Sequence, residues 1–156
     1  MQATRFAAAA FAALWLMAGT AAAAPDFSGN WKINVAKSDL GQMPAPDKWE
    51  SVVEHKDPEL KVKTTMAGQM GERTIEASYR TDGVETESIR GEMKAKSTAK
   101  WEGEALNIVS KMTTQGGDMT ITEKWTLGED GKSMTIHSKW SSDRGEFEFK
   151  RVMDKQ

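Results

Sequence analysis

The chain has 156 residues, 21 Lys and Arg against 23 Asp and Glu, and a formal net charge of −2. That length suits a single domain with a core of its own. It has no Cys and only two His, which excludes a disulfide framework and leaves thiol or histidine-rich metal chemistry without ligands. The charges are interspersed with no basic block, which argues against a nucleic-acid partner.

The first element is a leader. Met1 to Arg5 carries one positive charge, Phe6 to Gly19 is an apolar, Ala-rich run, and "TAAAAP" follows with small residues. That is the layout of a secretory signal peptide. The run is short for a membrane span, which needs about 20 residues. Proline directly after the scissile bond would hinder cleavage, because it lacks an N–H and fixes φ. Cutting after Ala23 avoids Pro25 and places Ala21 and Ala23 as the small-residue pair. The sequence therefore predicts a signal peptide over 1–23 and a folded domain over 24–156. The product is expected to be periplasmic or secreted, with no stable membrane insertion once the leader is removed.

From there the chain reads as strands. "FSGNWKINV" (27–35) opens the domain, and "AKSDLGQMPAPDK" (36–48) follows as a loop in which Pro44 and Pro46 argue against a well-formed helix. Further runs of alternating character cover 49–55, 60–66, 72–80, 84–89, 93–101, 105–114, 119–127, 133–140 and 146–153. The breaks are short and rich in Gly and Asp, as hairpins require. No segment after residue 48 is long enough for a crossover, so sequential strands are antiparallel. The expected fold is all-β: an antiparallel up-and-down barrel of about ten strands, with eight as the alternative count.

Parity identifies the faces. In "MKAKSTAKW" the set Met93, Ala95, Ser97, Ala99 and Trp101 opposes lysines at alternate positions. The later inner sets include Leu106, Ile108, Ser110 and Met112, then Met119, Ile121, Glu123 and Trp125. Met134, Ile136, Ser138 and Trp140 follow, and finally Phe147, Phe149, Arg151 and Met153. Polar groups inside are costly unless paired or hydrated. Ser97, Ser110, Ser138, Glu123 and Arg151 on the inner face point to a hollow, partly hydrated interior rather than a sealed core.

The opening "FSGNWKIN" resembles the Gly-x-Trp start of the calycin superfamily, the barrels that include lipocalins and fatty-acid-binding proteins. The resemblance implies that Gly29 lies where the first strand bends across the barrel floor and that Trp31 fills the closed end. "EFKRVMDK" resembles the last strand of a fatty-acid-binding protein, in which an inward Arg two residues before a Tyr grips a carboxylate. Arg151 matches the Arg, while Met153 stands at the Tyr position. The family also has two helices between its first strands and is intracellular. Here a Pro-containing loop replaces the helices and the chain is expected to be exported, so the likeness extends to the superfamily only.

Three roles stand open for Arg151. It could bind a ligand carboxylate through charge-assisted hydrogen bonds. It could stack on Trp31, the cation–π closure the resemblance implies, so that Gly29, Trp31 and Arg151 close the barrel. It could form an ion pair with Glu123. The candidate ligand-binding set is Arg151, Glu123, Trp125, Trp140, Trp101, Phe149, Met112 and Met134. Phe147 is expected to line the cavity beside Phe149, and Tyr79 is expected to place its hydroxyl at the rim. Access is expected near residues 36–48. His55 reads as inward and His137 as outward, which is no metal pair. No Gly-x-Ser-x-Gly, His-Glu-x-x-His or phosphate loop occurs. The expectation is a non-catalytic barrel without cofactor or metal, holding a small hydrophobic molecule such as a fatty acid or another lipid. The rival is an exported protein-interaction module, such as a calycin-like protease inhibitor acting through its N-terminal segment and loops on a packed interior.

Overall fold

The computed structural model describes residues 23–156; the predicted leader lies almost wholly outside the described residues. Ten strands carry the fold. They are β1 (Gly29–Ile33), β2 (Lys48–Lys56), β3 (Glu59–Gly68), β4 (Gly71–Arg80) and β5 (Thr86–Arg90), followed by β6 (Met93–Glu102), β7 (Ala105–Thr114), β8 (Gly117–Leu127), β9 (Ser133–Ser142) and β10 (Gly145–Lys155). Every pairing is antiparallel. The sheet runs β4-β3-β2-β1-β10-β9-β8-β7-β6-β5, so β1 joins the last strand to the second and curls the sheet into a barrel.

The two ends of the sheet, β4 and β5, face each other without a ladder between them. Side chains span this seam. Thr86 Oγ1 donates to the Ser78 carbonyl at 2.8 Å, and Arg90 Nη2 donates to the Tyr79 hydroxyl at 2.6 Å. At one end of the seam Gly83 N–H donates to the Ala99 carbonyl at 2.9 Å.

Alternation sets which face is buried. On β7 Leu106, Ile108, Ser110 and Met112 are buried, and Lys111 is exposed. On β6 Ala95, Ser97 and Ala99 are buried between exposed Lys94, Lys96 and Lys100. The tight turns bring in glycine where the backbone demands it: Gly103 between β6 and β7 has φ +62°.

Strand polarity gives the barrel two different ends. One carries the tight turns of β3–β4, β5–β6, β7–β8 and β9–β10 together with the loop 34–47; the other carries the remaining turns, the start of β1 and the end of β10. The second end is closed. Phe27 is fully buried there, its ring stacked on Trp101 at 5.8 Å and 6° and set edge-on to Trp125 at 5.6 Å. Trp31 is 1% exposed, and its indole N–H donates to the Phe27 carbonyl at 2.9 Å. Phe27 N–H in turn donates to His55 Nδ1 at 3.2 Å, so the inward reading of His55 fits its place in the floor.

Gly29 has φ +141°, and a Cβ there would stand 2.6 Å from Lys155 Cε. It allows the chain to turn from the floor into β1 beneath the last strand. The first strand is shorter than the run 27–35 predicted from the sequence. Phe27 leaves the sheet to plug the floor, and at the other end Asn34 caps a 3-10 turn over Val35–Lys37. That turn is the only helical element among the described residues. The loop beyond it is pinned to β10, with Asp39 and Lys150 exchanging backbone hydrogen bonds of 2.8 and 2.7 Å.

Phe27 lies outside every strand, yet its ring joins β6 to β8 at the floor. Phe27→Ala is expected to lower the free energy of unfolding by about 3–5 kcal/mol, as large-to-small changes in a core do. Urea unfolding followed by Trp fluorescence measures this. A loss below about 1 kcal/mol would show that the segment is not part of the core.

Candidate functional site

Above the floor the barrel is hollow. A cavity of about 780 Å³ opens toward the end that carries the loop 34–47. Its apolar wall includes Met112, Met134, Ile121, Trp125, Trp140 and Met153. Met43 reaches the same space from the loop, and Arg73, Glu92 and Gln115 stand around its mouth. The region 36–48, where access was expected, borders this opening through Met43.

The inner wall carries two polar clusters. The first unites three neighbouring strands. Glu123 on β8 is directly opposite Ser138 on β9, and Arg151 on β10 lies on the same face. Glu123 Oε1 accepts from Arg151 Nη2 at 2.8 Å and from Ser138 Oγ at 3.2 Å, while Oε2 accepts from the Trp125 indole N–H at 3.3 Å. The side chains of Arg151 and Glu123 are 10% and 14% exposed, so the pair is held in a low-dielectric setting where each charge depends on the other. The guanidinium lies over the Trp49 ring at 4.5 Å and nearer the edge of contact with Phe149 at 5.4 Å.

Of the three roles open to Arg151, the geometry forms the ion pair with Glu123. The cation over Trp31 is instead Lys155, with Nζ 5.5 Å from the ring centroid. The reason is axial position. Trp31 is opposite Lys155 in the β1–β10 register, and Arg151 stands four residues further up β10.

The second cluster lies across the seam. Tyr79 on β4 is 5% exposed, and its hydroxyl accepts from Arg90 Nη2 at 2.6 Å. Arg90 Nη2 also reaches Ser110 Oγ at 3.4 Å, and Ser110 bonds Ser97 at 2.7 Å. Burial pushes the Tyr79 hydroxyl up to about 12, against the opposing pull of the Arg90 cation. The phenol is therefore neutral across the physiological range.

Other predicted site residues are distributed as follows. Arg151, Glu123, Trp125, Trp140, Met112 and Met134 line the cavity. Trp101 and Phe149 do not. Trp101 is taken into the floor by Phe27, and Phe149 is packed between Trp140 at 5.6 Å and Phe147 at 5.5 Å. Phe147 is likewise outside the lining. Tyr79 is not at the rim but buried in the wall. Arg90 was legible only as part of a turn; the signal was the parity of "TESIR", in which acidic Glu87 faces out and Thr86, Ser88 and Arg90 share the other face. Among the described residues no group of three or more His, Asp and Glu is arranged to hold a metal ion.

Two predictions follow from these clusters. Arg151→Met leaves Glu123 charged and unpaired, and is expected to cost about 3–5 kcal/mol of stability. The double change Arg151→Met with Glu123→Gln is expected to recover most of that loss in urea unfolding; no recovery would mean that the two charges are independent. Tyr79 is the only tyrosine, so phenolate absorbance reports it alone. Absorbance is expected to rise near pH 12 in the native protein and near pH 10 in urea. Because the folded state holds this proton more tightly, the contribution of Tyr79 to stability is full below pH 10 and is lost as pH rises toward 12. Coincident native and denatured titrations would refute the buried phenol.

No family model matches the chain, and no curated protein matches its sequence. Solved structures do match in fold. Human cRBP IV aligns over 84% of this chain and 98% of its own, with a TM-score of 0.53 at 17% identity. Zebrafish ileal bile acid-binding protein, solved with cholic acid, aligns over 83% and 98% with a TM-score of 0.56 at 14% identity. Echinococcus granulosus fatty-acid-binding protein 1 aligns over 83% and 96% with a TM-score of 0.55 at 14% identity. With ten antiparallel strands curled around a cavity and a Gly-x-Trp start at the closed end, the chain has the barrel fold of these proteins.

Proposed function

We propose that this protein is an exported, non-catalytic carrier or sensor barrel that binds a small, mainly hydrophobic molecule in its interior. The observation that carries the reading is the cavity. Its volume of about 780 Å³ falls within the roughly 300–1,000 Å³ of ordinary small-molecule sites, and methionine, tryptophan and isoleucine dominate the inner part of its wall. Burial of ligand surface at about 25 cal/mol per Å² supplies the drive, and flexible Met side chains adapt the wall to the ligand's shape. The likeness to a bile acid-binding and a fatty-acid-binding protein supports the same class of ligand.

The interaction-module reading required a filled core and a free N-terminal segment. The cavity weighs against the first. Phe27, fully buried in the floor, weighs against the second. Export rests on the leader sequence, with Ala24 as the expected new N-terminus.

Native mass spectrometry of protein purified without detergent from its own host tests the reading. The expected result is a population heavier than the chain alone, whose excess mass is extracted into organic solvent as a lipid-like molecule. N-terminal sequencing of the same sample is expected to begin at Ala24. An unloaded protein that also fails to bind dodecanoic acid and 1-dodecanol after delipidation would overturn the ligand-binding reading, and Met1 in the exported fraction would overturn the processing.

A further inference from the structure

The two guanidinium groups in the cavity are in opposite electrostatic situations. Arg151 is matched by Glu123 at 2.8 Å. Arg90 lines the same cavity, yet among the described residues it has no carboxylate within ion-pair distance, and its only hydrogen-bond partners are two hydroxyls, Tyr79 and Ser110. Its Nε is buried without a partner, and no partner among the described residues is bonded to Nη1. An arginine has five N–H donors in a rigid fork and stays charged. A charge in a partly closed apolar wall with donors unused is unfavourable in the empty barrel.

We propose that Arg90, with Tyr79, is the site that takes the anionic head of the ligand, so that the molecule this barrel holds is an apolar acid with a carboxylate directed at the β4–β5 seam. The inference rests on the ligand-binding reading above and adds the ligand's class and orientation. Nη1, which has no partner among the described residues, is a charge-assisted donor for a carboxylate oxygen beside the Nη2 already held by Tyr79 and Ser110. The Tyr79 hydroxyl accepts from Arg90, which leaves its own proton to donate to a carboxylate oxygen; burial keeps that proton in place. Arg151 Nε is likewise buried without a partner, but Glu123 already neutralises that guanidinium and would repel a second carboxylate. Apolar wall lies within the same cavity for the tail, including Ile75 and Met112.

The test compares dodecanoic acid with 1-dodecanol, matched in chain length and different in head, by Trp fluorescence titration of delipidated protein. Wild type is expected to prefer the acid. Arg90→Met is expected to weaken the acid about 10-fold to 100-fold, the range of a charge-assisted hydrogen bond, with little change for the alcohol. Arg90→Lys keeps the charge without the fork and is expected to fall between them. Tyr79→Phe is expected to weaken the acid by a smaller factor. The paired change Arg151→Met with Glu123→Gln removes the other guanidinium without stranding a charge, and is expected to leave the acid preference in place. Equal losses for acid and alcohol in both Arg90 variants, or loss of acid preference only in the Arg151 pair, would overturn the assignment while leaving a binding barrel. Failure of wild type to bind either probe would overturn the binding reading and this inference with it. Circular dichroism and urea midpoints of each variant show that the compared proteins are folded.

Discussion

A sheet of ten antiparallel strands curled almost fully round on itself encloses a wider space than inward side chains alone can fill. Everything particular to this protein follows from how that excess is handled. At one end it is removed: Phe27 folds back beneath the barrel and Trp31, Trp101 and Trp125 gather around it. At the other end it is left open. β4 and β5 do not complete the ladder, and hydrogen bonds from Thr86 and Arg90 hold the seam that a continuous ladder would have held through the backbone. The cavity and its mouth are therefore consequences of one geometric mismatch between circumference and filling.

The interior charges then arrange themselves around that seam. The protein is slightly acidic as a whole, but among the described residues the cavity's inner wall holds Arg151 and Arg90 against the one carboxylate of Glu123, while Arg73 and Glu92 both stand at the mouth. One guanidinium is compensated within the wall and the other is not. In a low-dielectric pocket such an imbalance is felt more strongly than surface charges of the opposite sign outside. Tyr79 stands between the two clusters: Arg90 and Arg151 favour its ionised form and Glu123 disfavours it, and burial outweighs them all. The phenol is consequently neutral and accepts a hydrogen bond from the neighbouring cation.

The strands and their inner faces were legible in the sequence because period-2 alternation is a local property. Ser97, Ser110, Ser138, Glu123 and Arg151 could be placed inside on parity alone, and from their number the hollow interior followed. Position along the barrel axis was not legible. Trp101 and Trp125 both face inward, but the stagger between strands puts Trp101 in the floor and leaves part of Trp125 on the cavity wall. Arg151 and Trp31 share an interior, and four residues of register separate them, which gives Lys155 the place over the indole. Tyr79 was misplaced at the rim and Arg90 was missed for a related reason. Each lies near a strand end, and their contact crosses the seam, where no ladder links the partners and sequence proximity carries no signal. Phe27 was read as the first residue of a strand because nothing local distinguishes a plug from a strand start.

The mouth bears on how a ligand would be retained. The loop 34–47 contains one short 3-10 turn, is tied to β10 through Asp39 and Lys150, and sends only Met43 into the cavity. Pro44 and Pro46 remove N–H donors from the segment that would otherwise build a helical cover. The remaining rim consists of tight turns carrying exposed Arg73, Glu92 and Gln115, long side chains whose ordering across the opening would cost conformational entropy. A barrel built this way has little with which to close over its contents. Residence in it depends on what the wall holds, because differences in affinity among related complexes lie mostly in the rate of departure. An apolar tail alone can slide along a smooth methionine-lined wall, whereas a head fixed by a directional fork cannot leave without breaking its hydrogen bonds. On the proposed reading, the uncompensated guanidinium at the seam would serve the role that a lid serves elsewhere, by anchoring the ligand from within rather than covering it from above.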